Sequence, residues 1–135
     1  MKQKKVLVFG SYDLIHPGHR YFFVKAKKLG DKLIVVVARD STIKKVKGKK
    51  PKFNENQRLK HVQEISTVDK AVLGNEDDMY KVIEEIKPDI LALGYDQNSF
   101  TQGIKQELED RDLSEIKIVR IDSYKPKKYK SSLLK

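Results

Sequence analysis

The stretch VLVFGSYDLIHPGH, Val6 to His19, decides the fold. Four apolar residues run into Gly10, as in a buried strand that stops there. His16 and His19 follow, three apart, with Pro17 and Gly18 between them. Proline is suited to the first position of a helix, because its missing N–H would be unpaired there anyway. His16 therefore lies at or near the N-cap, and His19 lies one turn on, on the same side. A helix start carries unpaired N–H groups and a positive dipole, so it is ready to receive an anion. Gly18 lets a bulky group approach the backbone.

The rest of the chain continues the alternation. Pro17 to Leu29 reads as a helix, with Gly30 expected as its C′ residue. KLIVVVA, from Lys32, reads as a central parallel strand. Arg39 to Phe53 reads as a long lysine-rich loop. Asn54 and Gln57 form a capping-box pattern for a helix running to about Ile65. DKAVLG is a short strand, and Asn75 is expected to cap a helix with Glu76, Asp77 and Asp78 in its first turn. DILALGYD is a strand, Gln102–Asp110 a helix, and IKIVRI a fifth strand. A basic tail begins near residue 124. Five strands alternating with helices imply an α/β fold, a parallel sheet covered on both faces. Ligands of such sheets bind beyond the C-terminal strand ends, at the topological switch point.

Composition narrows the chemistry. The 135 residues fit one domain, 1–135, and cysteine is absent. That removes a disulfide framework and a thiolate metal cage. His-x-x-His can be half of a zinc site, but the only other histidine is His61, placed in a helix outside any motif and expected to be dispensable. No apolar run is long enough to span a bilayer, and no signal-peptide pattern is visible. The expectation is a soluble cytoplasmic protein with no membrane partner. The net charge of +10 is uneven. Lys and Arg dominate residues 1–63 and the tail, and acids dominate 64–122. A basic half suits an anionic partner. Nucleic acid is disfavoured, because the lysines lack interleaved aromatics for base stacking.

GSYDLIHPGH resembles the G-[TS]-F-D-x-x-H-x-G-H signature of the cytidylyltransferase-like nucleotidyltransferases. The resemblance extends through LGDKLIVVVARDSTI, NENQR, VDKAVLG, IKPDILALGYDQ and YKSS. ARDST and ALGYDQ look most like archaeal-type FAD synthases, and next like glycerol-3-phosphate cytidylyltransferases. The resemblance implies a single-domain, Rossmann-like three-layer sandwich with a five-stranded parallel sheet. It implies transfer of AMP from ATP to FMN with release of pyrophosphate. A divalent cation, Mg²⁺ or similar, would accompany the triphosphate. The alternatives are CTP transfer to glycerol 3-phosphate or another small phosphate, and a non-catalytic nucleotide sensor or nucleic-acid binder. Relatives of this kind commonly dimerise, which allows a homodimer.

The same resemblance assigns residues. His16, His19, Lys45 and Lys47 are the expected catalytic group, with Lys45 and Lys47 matching the family's lysines after the second strand. Phe9, Gly10, Ser11, Tyr12, Asp13, Gly18, Gly94, Asp96, Tyr124, Lys130, Ser131 and Ser132 are expected to bind the nucleotide and its phosphates. Asp40 and Arg58 are expected at the acceptor. No side chain is assigned as a metal ligand. Relatives place an arginine before the final hydroxyls. Here only Lys125, Lys128 or Lys130 can substitute, as point charges rather than bidentate forks.

Overall fold

The structure is a computed structural model, and it describes residues 3–76, 78, 80–94 and 103–122. Five strands form one parallel sheet: β1 (Lys5–Gly10), β2 (Lys32–Val37), β3 (Lys70–Leu73), β4 (Ile90–Gly94) and β5 (Lys117–Ile121). Their order is β3-β2-β1-β4-β5, so the chain reverses direction across the sheet between β1 and β4. Among the described residues five helices accompany them: α1 (Pro17–Lys27), α2 (Asp40–Lys47), α3 (Glu55–Gln63), α4 (Lys81–Ile86) and α5 (Ile104–Asp110).

Alternate strand residues point to opposite faces, and each face buries its own core. Val6, Val8, Leu33, Val35 and Val37 meet Phe23 and Ala26 of α1 and Val62 of α3 on one side. Leu7, Ile34, Val36, Leu91 and Leu93 meet Val82 and Ile83 of α4 and Ile104 and Leu108 of α5 on the other. The result is the expected three-layer, Rossmann-like sandwich. Phe23 is wholly buried. Truncating such a residue to alanine costs about 3–5 kcal/mol.

Aspartates close the lower edge of the sheet, away from the site. The carboxylate of Asp31 accepts the Lys4 N–H, that of Asp89 accepts the Lys5 N–H, and that of Asp69 accepts the Leu33 N–H, each within 2.8 Å. Each stands just before a strand and satisfies a backbone donor in the segment alongside.

Three expectations are corrected. Arg39 to Phe53 is not a long loop, because α2 occupies its first half. Asp40 stands in the first turn of α2, lysines fill its last turn, and Gly48 caps it at φ 77°. Those are ordinary helix start and stop signals, obscured by the density of lysine. Gly30 has no left-handed φ. It is required by close approach instead: a Cβ there would sit 2.7 Å from the Lys4 carbonyl oxygen. Asn75 does not cap α4. Its side chain accepts the Asp78 N–H, Asp78 accepts the Tyr80 N–H, and the helix starts only at Lys81.

Candidate active site

β1 delivers the chain to the C-terminal edge of the sheet at the strand-order reversal, and the signature follows at once. Tyr12 adopts φ 50°, uncommon for an aromatic residue. The ring folds back over Gly10, where any Cβ would collide with it, and its hydroxyl donates to the Phe9 carbonyl at 3.1 Å. Gly10 and Tyr12 thus build the turn, and Phe9 packs its ring against the α4–α5 face.

The turn leads into α1 through an unusual cap. Nδ1 of His16 accepts the Gly18 N–H at 3.0 Å, and Nδ1 of His19 accepts the His16 N–H at 3.3 Å. Together they make a capping box built from two histidines. The rings stack with centroids 3.7 Å apart, and Tyr12 abuts His19 edge-on at 5.2 Å. A neutral imidazole has one donor and one acceptor nitrogen. With both Nδ1 atoms accepting, the hydrogen-bond pattern assigns the proton of each ring to Nε2. Each ring then carries its N–H on the nitrogen opposite the capping bond, at the N-terminus of α1, where the dipole already favours an anion.

Asp13 and Arg58 hold this turn to its neighbours. The Asp13 carboxylate accepts the backbone N–H of Lys52 at 2.6 Å and of Phe53 at 2.8 Å. Burial pulls its pKa upward, but those two N–H bonds and the charges of Arg58 and Lys47 outweigh burial and hold it below the ordinary aspartate value. Arg58 is wholly buried. It donates to the carbonyls of Ser11 at 2.8 Å, Ala38 at 2.7 Å and Phe53 at 3.0 Å, and to the Asp40 carboxylate at 2.7 Å. One guanidinium thus ties together the ends of β1 and β2, the start of α2 and the loop before α3. Of the pair expected at the acceptor, Arg58 reaches no solvent, and Asp40, its counter-ion, has a side chain that is 40% exposed.

The two expected lysines separate. Lys47 Nζ lies 3.5 Å from the Ser11 hydroxyl, beside the turn. Lys45 precedes it by two residues on α2, which turns it about 160° away around the helix. Gly94 ends β4, and its carbonyl accepts from Arg120 of β5 at 2.9 Å. Asp96, Tyr124, Lys130, Ser131 and Ser132 lie outside the described residues.

A family model described as cytidylyltransferase-like matches residues 7–135. The chain belongs to the cytidylyltransferase-like family. Among the members it resembles are proteins named FAD synthase. The one from Thermoplasma acidophilum is 47% identical across 97% of this chain and 91% of its own length. The one from Aciduliprofundum boonei is 47% identical across 89% of this chain and 79% of its own. The crystal structure of a protein titled lipopolysaccharide core biosynthesis protein, from Thermoplasma volcanium, superposes with a TM-score of 0.85 at 44% identity, over 91% of this chain and 99% of that one. A pantoate–β-alanine ligase from Francisella tularensis, 20% identical with a TM-score of 0.66, shares the fold; 90% of this chain and 60% of that one are covered.

The structure of this cytidylyltransferase-like chain adds residues that the motif did not point to. Glu55 accepts the Asp40 N–H at 2.9 Å and pairs with Arg39 at 3.1 Å, so it fixes the start of α2. His61, expected to be dispensable, lines a cleft of about 330 Å³ with Asp13, Leu14, Ile15, Arg20, Phe53, Glu64 and Ile65. The only sequence hint was that positions 61, 64 and 65 share one face of a helix. Among the described residues, no group of three His, Asp or Glu side chains could hold a metal ion. No helix of the described residues is long and apolar enough to cross a membrane.

Proposed function

We propose that the chain is an FMN adenylyltransferase, moving AMP from ATP to FMN. A phosphate oxygen of FMN attacks the α-phosphorus of ATP. The bond from that phosphorus to the bridging oxygen of the β-phosphate breaks, FAD forms, and pyrophosphate leaves with the electron pair. No covalent enzyme intermediate is needed, because positioning and charge stabilisation supply the catalysis.

The observation that carries this reading is the histidine capping box. It aims two Nε2–H donors at the space over the start of α1, where charge would build on the phosphoryl oxygens. Lys47 adds a positive charge from the side of Ser11. Backbone groups of Ser11 to Asp13 line the phosphates, Gly18 leaves room for their approach because it has no side chain, and Gly94 marks the nucleotide side of the rim. Asp13 and Asp40 are already engaged, by backbone N–H groups and by Arg58. The divalent cation is therefore read as part of the substrate, carried by the triphosphate oxygens. The choice of FMN and ATP is supported by the relatives named FAD synthase. A use of ATP and FMN supports a cytoplasmic location.

The test is direct. The purified protein is mixed with ATP, FMN and either Mg²⁺ or Co²⁺, and FAD is sought by chromatography, with CTP and glycerol 3-phosphate as a parallel arm. FAD formation is expected. No FAD with any of several divalent metals would overturn the reading.

A further inference from the structure

We propose that the cleft between α1 and α3 seats the ring system of the acceptor. This rests on the reading above that the acceptor is FMN. The cleft opens beside the reacting end. Leu14 and Ile15 in its wall immediately precede His16, and Arg20 lies four residues beyond His16 on the same face of α1, about 6 Å further along. An acceptor with its phosphate over His16 and its body along α1 meets Arg20 next.

The walls match a flavin ring in chemistry. Its dimethylbenzene edge is apolar, and its pyrimidine edge has two carbonyls flanking an N–H. Leu14, Phe53 and Ile65 provide the apolar side, and Leu14 is 55% exposed with no partner in the core clusters. Arg20 is a donor for the carbonyls, and Glu64 an acceptor for the N–H. Both line the cleft, yet among the described residues neither side chain makes an ion pair or a hydrogen bond. A cation and a carboxylate facing one space without pairing suit a neutral ligand that both accepts and donates. His61 meets the Phe53 ring at 5.0 Å and 86°, which fixes the aromatic wall and makes His61 a positioning residue. Asp13 anchors the same wall from behind, through the Phe53 N–H. At about 330 Å³ the cleft lies near the lower end of small-molecule pockets, about 300–1,000 Å³.

Riboflavin separates the possibilities, because it has the ring and lacks the phosphate. It is expected to compete with FMN and not with ATP. Arg20→Met and Glu64→Gln alter exposed side chains, so both variants should melt with the wild type. Each is expected to raise the KM for FMN about tenfold or more while the KM for ATP stays within about twofold. A fluorescence titration with riboflavin should show the same weakening without any turnover. Unchanged FMN and riboflavin affinities in both variants would overturn the assignment, as would competition of riboflavin with ATP or no riboflavin binding at all. If the wild type makes no FAD, the proposed function fails, and the riboflavin titration still decides the cleft.

Discussion

Arg58→Met tests how far the site depends on one buried side chain. Methionine fills much the same volume, so the cavity contribution is small and the change isolates the guanidinium. Arg58 satisfies the carbonyls of Ser11, Ala38 and Phe53 and the carboxylate of Asp40. The Asp40 side chain is 40% exposed and can turn to water. The three carbonyls belong to half-buried residues, and a buried polar group left without a partner costs about 1–3 kcal/mol. The low end of that range for each carbonyl gives about 3 kcal/mol, in line with the 3–5 kcal/mol typical of breaking a buried charged network. A domain of ordinary stability holds only about 5–15 kcal/mol in all. At this chain length the loss corresponds to a fall in Tm of roughly 10 °C or more. Arg58→Lys keeps a charge and three donors but not the planar fork, so it should fall between. Removing the counter-ion as well, in Arg58→Met/Asp40→Leu, should not restore stability, because the carbonyls still lack donors. Thermal melts followed by circular dichroism read all three. A methionine variant melting within about 2 °C of the wild type, or a double variant restored to wild-type stability, would refute the reasoning.

The other predictions concern the turn and α2. The double variant His16→Asn/His19→Gln keeps a capping box and should change Tm by only a few degrees, while turnover falls on the order of 10²-fold or more. Retained turnover in that variant would remove the histidines from the chemistry. Lys47→Gln should lower turnover about tenfold or more, and Lys45→Gln should leave it within about twofold, because the helix points the two apart. Equal losses in steady-state rates would show that α2 does not present Lys47 alone. Asp13 has a depressed pKa in the folded state, so its carboxylate contributes stability above the unfolded value, 3.8, that is lost as pH falls through the folded value. Asp13→Asn should therefore be less stable than the wild type at pH 7, with the gap closing below pH about 4 in urea titrations; a gap independent of pH would contradict this.

The strands and the order of elements were legible because a parallel sheet buried on both faces needs continuous apolar runs, and Val6–Val8 and Leu33–Val37 have no other use. The failures share a cause. Where a side chain serves two elements at once, local pattern is silent. Arg58 sits in an ordinary capped helix, and nothing in NENQR shows that its side chain runs inward to the ends of two strands. The first half of the lysine run is a helix because Ile43 is buried under it and Glu55, fifteen residues on, caps its start. Gly30 reads as a helix stop, yet it is the neighbouring Lys4 carbonyl that excludes a side chain there. The α1–α3 cleft is the same case: Arg20 and Glu64 are unremarkable surface charges until the fold brings them to one opening.

The two capping boxes among the described residues supply the control that the motif alone lacks. α3 begins with Asn54 and Gln57: Asn54 accepts the Gln57 N–H at 2.8 Å, and Gln57 accepts the Asn54 N–H at 3.0 Å. α1 begins with the same reciprocal pattern made by His16 and His19. Short polar side chains serve the cap in one helix, so the cap does not call for histidine in the other. Histidine is also a poor choice for the purpose by ordinary preference, which favours Ser, Thr, Asp and Asn at the N-cap and Glu or Gln three residues later. What histidine adds is a second nitrogen on the far side of the ring. The cap occupies Nδ1, which settles the tautomer and sets the Nε2–H outward along a direction that the ring stacking and Tyr12 hold fixed. Preorganisation of this kind is what makes a donor effective toward developing charge, because nothing has to reorient when the charge appears. In the proposed function the signature is then one device with two uses: its inner nitrogens finish a helix, and finishing the helix would aim its outer ones at the reacting phosphate.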